Sequence, residues 1–273
     1  MSAYTEIRKY PRTQHLEGSR VQPGDEDLAV VAGAALSGSF VVVEEKLDGA
    51  NVGISVGGDG RLRLQSRGHY LTGGPRERQF DLLKTWAACH HDALVSALGG
   101  RYVLYGEWLY ARHTVFYDTL PHYFHEFDVL DLHDNYFLST ERRQQVLDGL
   151  PLVSVPVLYA GTFPGVAALS RTIGPSRYKS PTWKSSLHQT ARSLGLDPAR
   201  VAAETDPSSE MEGLYIKVER DGQVVERYKQ VRASFLTAIQ DSASHWLDRP
   251  IVPNGLRADA DLYAPVLPES SRP

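Results

Sequence analysis

Two β-branched runs set the pattern of the N-terminal third. Val41-Val42-Val43-Glu44-Glu45-Lys46 leads through Leu47-Asp48-Gly49-Ala50-Asn51 into Val52-Gly53-Ile54-Ser55-Val56. Apolar runs around a polar centre predict a strand, a tight turn and a second strand, a hairpin with Lys46 at the end of its first arm. Asp48-Gly49 supplies the turn chemistry. Gly57-Gly58-Asp59-Gly60 is a further turn, and alternation from Arg61 to Arg67 predicts a third strand.

Upstream, residues 4–24 are polar and turn-rich, and two readings stay open for them: a surface loop, or a lid bringing His15 or Arg20 to phosphate. Asp25-Glu26-Asp27 reads as the acidic start of a helix over residues 28–36, ended by Ser37-Gly38-Ser39. Downstream, Phe80, Leu83, Trp86, Ala87, Leu94 and Leu98 recur at helical spacing over residues 76–98, closed by Gly99-Gly100. Residues 101–108 and 124–129 read as strands, joined by a loop carrying His113 and His122. A helix over 141–150 follows, then a strand over 152–159 broken at Pro156. Another helix runs from Ser180-Pro181 to Leu194, with one more starting at Asp197-Pro198. Residues 212–218 and 224–232 form a hairpin turned at Asp221-Gly222, and residues 235–246 read as helix before a Pro-rich tail.

Composition changes this picture in three places. A chain of 273 residues with 42% hydrophobic content can bury one large core or two small ones. Its formal charge of −4 excludes a global basic field, so any polynucleotide contact has to come from a local patch. Arg171, Arg177, Lys179, Lys184 and Arg192 form the most cationic stretch; it is either a solvated helical face or such a patch. The single Cys89 excludes an internal disulfide framework and suits a reducing compartment. The polar N-terminus is no signal peptide and the apolar run at 28–36 is too short to span a bilayer, so a soluble, cytoplasmic, monomeric protein is expected.

The chemistry centres on Lys46. An amine fixed at a strand end can serve as a nucleophile once its charge is disfavoured, although the same residues also describe an ordinary hairpin with one exposed lysine. Lys46-Leu47-Asp48-Gly49-Ala50-Asn51 resembles the Lys-x-Asp-Gly-x-Asn nucleophile motif of the covalent nucleotidyltransferases, the ATP-dependent polynucleotide ligases and mRNA capping enzymes. Further blocks follow in family order. They are Ser66-Arg67-Gly68, Tyr105-Gly106-Glu107, Phe124-His125-Glu126-Phe127-Asp128, Glu212-Gly213-Leu214-Tyr215-Ile216-Lys217, and a basic strand with Arg227 and Lys229. The resemblance covers residues 40–232. The residues after Arg232 are too few for the barrel domain that DNA ligases and capping enzymes append, which points to the ATP-dependent RNA ligase branch in a minimal form.

The resemblance implies an α+β nucleotidyltransferase (ATP-grasp-like) fold, with antiparallel sheets flanked by helices around a nucleotide cleft. It implies an adenylyltransferase domain over 1–232 with an insertion at 134–208, and a short helical extension and tail over 233–273. By residue, it implies Lys46 as the nucleophile that becomes lysyl-AMP, with Asp48 orienting either the lysine or a metal-bound water. Glu45, Asn51, Arg67, Glu107 (ribose), Phe127 (base stacking, with Phe124 as the alternative), Lys217 and Lys229 bind nucleotide. Lys217, Arg227 and Lys229 assist catalysis, and lower the Lys46 pKa by like-charge repulsion. Glu212 binds Mg2+ or Mn2+. Many relatives carry lysine where Arg227 stands, which leaves the division of roles between Arg227 and Lys229 open. The implied partners are nucleic acid ends, RNA before DNA, prepared by an end-healing kinase or phosphatase. A GTP-dependent capping-type guanylyltransferase, an ATP-dependent DNA ligase and a catalytically silent nucleic-acid binder are the alternatives.

Overall fold

The computed structural model describes residues 7–21, 24–235 and 250–263. The strands are β1 (Gln14–Leu16), β2 (Val30–Val31), β3 (Phe40–Lys46), β4 (Ala50–Val56), β5 (Leu62–Ser66), β6 (Tyr102–Trp108), β7 (Phe124–Asp131), β8 (Tyr136–Leu138), β9 (Val153–Ser154), β10 (Val157–Thr162), β11 (Gly213–Arg220) and β12 (Gln223–Val231). The helices are α1 (Asp81–Cys89), α2 (His91–Leu98), α3 (Thr140–Leu147), α4 (Val166–Ser170), α5 (Trp183–Ser193) and α6 (Pro198–Ala203). The main sheet path is β10-β3-β11-β12-β8-β7-β6-β4-β5, antiparallel throughout; parallel pairing is confined to β1 with β12 and β2, and β9 with β7. The expected α+β class with antiparallel sheet and flanking helices is the observed one. Among the described residues, no helix is long and apolar enough to cross a membrane.

The expected Lys46 hairpin is not formed. β3 pairs with β10 and β11, whereas β4 pairs with β5 and β6, so the two arms lie in opposite halves of the sheet. Adjacent Val-rich runs meet the local requirements of a hairpin, but each strand has better partners further along the chain. Gly49 accordingly serves close approach: a Cβ there would lie 2.7 Å from the Trp108 carbonyl oxygen and from Leu109.

Period-two alternation then decides what each face does. Val41 and Val43 pack with Leu214, Ile216, Val218 and Tyr228 in one apolar cluster, closed by Leu16, Leu36 and Leu169. Glu44 and Lys46, on the other face of β3, turn toward the second half of the sheet. There the larger cluster joins β4, β6 and β7 to α1 and α2 through Trp86, Leu83, Leu94, Trp108 and Phe124. A third cluster of Phe116, Trp183, Leu187, Ala191, Val201 and Val252 seats α5 and α6.

Other expectations shift. Residues 28–36 form β2 and a short 3-10 turn (Gly33–Leu36) instead of a helix, because Val30 and Val31 pair with β1. Residues 14–16 are neither loop nor lid but a strand added to β12, with His15 and Leu16 fully buried. The 76–98 helix is a 3-10 turn (Pro75–Phe80) followed by α1 and α2, and it ends at Gly99 in the left-handed region, φ 53°. Residues 134–162 supply β8, β9 and β10 to the main sheet, so the segment lying outside it is 163–208. The helix expected over 235–246 and the Pro-rich tail fall outside the described residues, apart from Phe235 and residues 250–263.

Candidate active site

A cleft of about 1420 Å³ opens between the two halves of the sheet. One wall carries Glu44, Lys46, Tyr215 and Lys229; the other carries Asn51, Ser66, Arg67, Glu107 and Phe127. Strand register aligns the first wall in rows. Lys46 lies opposite Gly213, Glu44 opposite Tyr215 and Lys229, and Val42 opposite Lys217 and Arg227. Gly213 is required there, since a Cβ would sit 2.1 Å from the Gln230 carbonyl oxygen.

Lys46 is a quarter exposed, and both carboxylate oxygens of the buried Glu212 lie 2.7 Å from its Nζ. Burial works to lower the Lys46 pKa, but Glu212, Glu107 and Asp48 outweigh it and hold the pKa above its ordinary value. The expected lowering by a ring of cations is therefore not found in the free protein. Lys217 and Arg227 do not line the cleft, and only Lys229 does. Burial lowers the Lys229 pKa, and Lys46 adds to that, while an ion pair with Asp25 opposes it.

Lys217 and Arg227 belong instead to an ionic network beneath the cleft. Lys217 Nζ lies 2.9 Å from Glu44 and 3.0 Å from Asp128, and it donates to the Phe127 carbonyl oxygen. Arg227 Nε is 3.4 Å from Asp128, and its guanidinium stands 3.7 Å from the Phe137 ring centroid. Arg143 of α3, fully buried, lies 3.1 Å from Glu44 and 3.3 Å from Glu126. Three carboxylates and three cations thus balance in a largely buried site, with Arg227 its most exposed member.

On the opposite wall, Glu107 accepts a hydrogen bond from the Gly49 amide at 3.1 Å. Burial pushes its carboxyl up to about 8; Lys46 pulls downward, while Asp48 and Glu212 push the same way as burial. Asp48 accepts from the Thr114 and Val115 amides at 2.7 Å each, which ties the Lys46 turn to the 113–118 loop. Phe127 lines the cleft and meets Tyr10 edge-on at 5.1 Å. Phe124 is buried against Trp86 and takes no part in the cleft. Glu45 lines the cleft beside Lys46, and its buried carboxylate accepts from the Ser176 hydroxyl. Asn51 and Arg67 both line the cleft. His113 lines it too, whereas His122 is buried and bonded to the Phe124 amide at 2.9 Å.

Several side chains here escaped the sequence reading. Tyr10 reaches the cleft floor and bonds Asp128 and Tyr215 through its hydroxyl. Asp25 pairs with both Lys229 and Arg12. Glu44, two residues before Lys46, carried an alternation signal for the same face; nothing local marked Tyr10 or Asp25. Among the described residues no group of three or more His, Cys, Asp or Glu side chains could hold a metal. Glu212 offers one buried carboxylate, paired with Lys46. That suits a magnesium-type ion, which keeps waters and takes phosphate oxygens alongside one or two protein carboxylates.

A family model described as RNA ligase matches residues 39–231. No curated protein matches the chain. Solved structures of Naegleria gruberi RNA ligase share the fold. A lysine-to-alanine mutant with ATP and Mn aligns at TM-score 0.53 and 17% identity, over 87% of this chain and 60% of that one. The protein with PPi aligns at TM-score 0.52 and 18% identity, over 87% and 59%. A glutamate-to-alanine mutant with AMP and Mn aligns at TM-score 0.53 and 17% identity, over 87% and 60%. The present chain therefore spans about three-fifths of the length of these solved proteins.

Proposed function

Since this chain belongs to the RNA ligase family, we propose that it joins 5′-phosphate to 3′-hydroxyl polynucleotide ends at the expense of ATP, through an AMP carried on Lys46. The observation that carries this reading is the convergence on one cleft of an amine, a carboxylate against it, a cation and an aromatic: Lys46, Glu212, Lys229 and Phe127.

In this reading Lys46 Nζ attacks the α-phosphorus of ATP. The nitrogen–phosphorus bond forms, the bond to pyrophosphate breaks, and the amine gives up its protons. AMP then passes to a 5′-phosphate, and a 3′-hydroxyl displaces it to make the phosphodiester. Phe127 stacks on the base, contributing about 1–3 kcal/mol, and Lys217 steadies it through the Phe127 carbonyl oxygen. Glu107 accepts from the ribose hydroxyls. Arg67 offers a planar fork to ribose or phosphate oxygens, and Asn51 a hydrogen bond to phosphate.

Lys229 takes the phosphate contact that the sequence divided between two residues, because Arg227 is spent on Asp128. Asp48 orients the nucleophile indirectly, by clamping its turn to the Thr114 and Val115 amides. A divalent Mg2+ or Mn2+ held by Glu212, phosphate oxygens and water would offset charge on the triphosphate. In the free protein Glu212 is instead the ion-pair partner of Lys46 and favours its protonated form.

Residues 1–232 form the adenylyltransferase domain in this reading, with RNA ends preferred to DNA and an end-healing kinase or phosphatase acting first. The reading takes the protein as a cytoplasmic monomer, its single cysteine suiting a reducing compartment. The test is incubation with ATP or GTP labelled at the α-phosphate, with metal, followed by sealing of matched nicked RNA and DNA. The reading expects label from ATP and sealing of RNA. Label taken only from GTP identifies a capping-type guanylyltransferase, and faster sealing of all-DNA nicks identifies a DNA ligase.

A further inference from the structure

The cleft is larger than a nucleotide site needs. Small-molecule pockets run to about 300–1,000 Å³, and this one reaches about 1420 Å³. One side of the cleft is a rim built from the Ser66–His69 turn and the 73–78 loop, which His69 and Glu77 bring within 4.0 Å of each other. The N-terminal segment joins the same rim, because the Arg8 carbonyl oxygen accepts from Gln65 Nε2 at 2.7 Å and from the Tyr105 hydroxyl at 2.8 Å.

This rim is cationic in a chain whose formal charge is −4. Arg8, Lys9, Arg67, Arg76 and Arg78 are all exposed, and among the described residues none of them has an ion-pair partner. The acids nearby are already occupied. Glu77 is buried against Lys84 at 2.7 Å, Asp59 pairs with Arg63 at 3.2 Å, and Asp81 lies 3.7 Å from Lys84. Five uncompensated charges cost self-repulsion in the free protein, and a polyanion relieves it.

The stretch with the most cations in sequence fits less well. No residue of 163–208 lines the cleft. Lys179 donates to the Ser208 carbonyl oxygen and stands 4.0 Å from the Trp183 ring centroid, and burial lowers its pKa to about 8. Lys179 is thus spent within its own segment, and the 163–208 face meets the Lys46 strand at Glu45, through Ser176 and the Arg177 amide, without lining the cleft.

We propose that the rim beside Arg67, carrying Arg8, Lys9, Arg76 and Arg78, is the docking surface for the polynucleotide whose end is activated, gripping its phosphate backbone without regard to sequence. This inference rests on the ligase reading for its partner. The rim would feed a 5′ end toward Lys46 along the cleft.

The test uses the variant R8A/K9A/R76A/R78A, which spares Arg67 because that residue is assigned to the nucleotide. Binding of a fluorescent 5′-phosphorylated single-stranded RNA is followed by anisotropy across a salt series, beside self-labelling from ATP. Each lost contact should flatten the log–log salt slope by about 0.7 for a single strand. The variant should therefore lose roughly 2 to 3 from the slope while ATP labelling stays within about twofold. R171A/R177A/K184A should keep the wild-type slope. An unchanged slope in the rim variant overturns the proposal, as does flattening only in the 163–208 variant. Wild-type protein that binds RNA through the rim but takes no label from ATP refutes the ligase reading and leaves the surface standing.

Discussion

Replacing Glu107 with glutamine should stabilise the protein above neutral pH and change little near pH 5. Burial, with smaller pushes from Asp48 and Glu212, lifts the Glu107 carboxyl from an ordinary 4.5 to about 8 against the pull of Lys46. Below the unfolded-state value both states hold the proton. Between the two values only the folded state holds it, so stability falls as pH rises, and the loss is complete once pH passes the folded value. At about 1.4 kcal/mol per pH unit the ceiling is about 5 kcal/mol. Glu107 is partly exposed to the open cleft, so screening brings the expected difference to about 1–3 kcal/mol. For a chain of this size that is a shift of about 2–12 °C in Tm. Glutamine keeps the oxygen that accepts from Gly49 but has no proton to lose. Thermal or urea denaturation of both proteins from pH 5 to 9 measures the effect. The gap should open between pH 5 and 8 and then stay constant. Parallel curves would mean that Glu107 ionises normally, and the electrostatic account of the cleft would fail.

Phe127→Ala should weaken every purine nucleotide by about 1–3 kcal/mol in competition binding, while Phe124→Ala should lower stability by about 3–5 kcal/mol and spare affinity in the folded fraction. The reverse pattern would show the strand register to be wrong. Arg143→Met leaves Glu126 without its cation and should cost about 3–5 kcal/mol by urea denaturation; a change under 1 kcal/mol would deny the buried network its role. Asp25→Asn releases Lys229 from its ion pair and leaves the site more positive, so ATP should bind in stopped-flow assays with a steeper salt dependence. An unaltered salt dependence would detach Asp25 from the nucleotide site.

What the chain revealed beforehand depended on the range of the interaction. Strands with period-two alternation, such as β3 and β11, and helices with clear caps, such as Asp197 before α6, were legible because their causes are local. Lys46, Glu107, Phe127, Glu212 and Lys229 sit in short motifs, and all five reach the same cleft or, for Glu212, the amine within it. Partner choice was not legible. β3 and β4 look like a hairpin, yet β3 joins β11 from far downstream and β4 joins β6. Lys217 and Arg227 read as cleft cations because alternation fixes a face but not a depth. Carboxylates from β3 and β7 claim them below the floor. Tyr10 and Asp25 carry no motif, and their positions follow from β1 pairing with β12.

The central claim is that Lys46 carries AMP. Wild-type protein incubated with α-labelled ATP and Mg2+, then digested and analysed by mass spectrometry, should place one adenylate on the peptide containing Lys46. Lys46→Ala and Lys46→Arg should take no label while retaining the wild-type circular dichroism spectrum, since arginine stays protonated and cannot attack. Label persisting in either variant, or mapped to another residue in the wild type, would contradict the account.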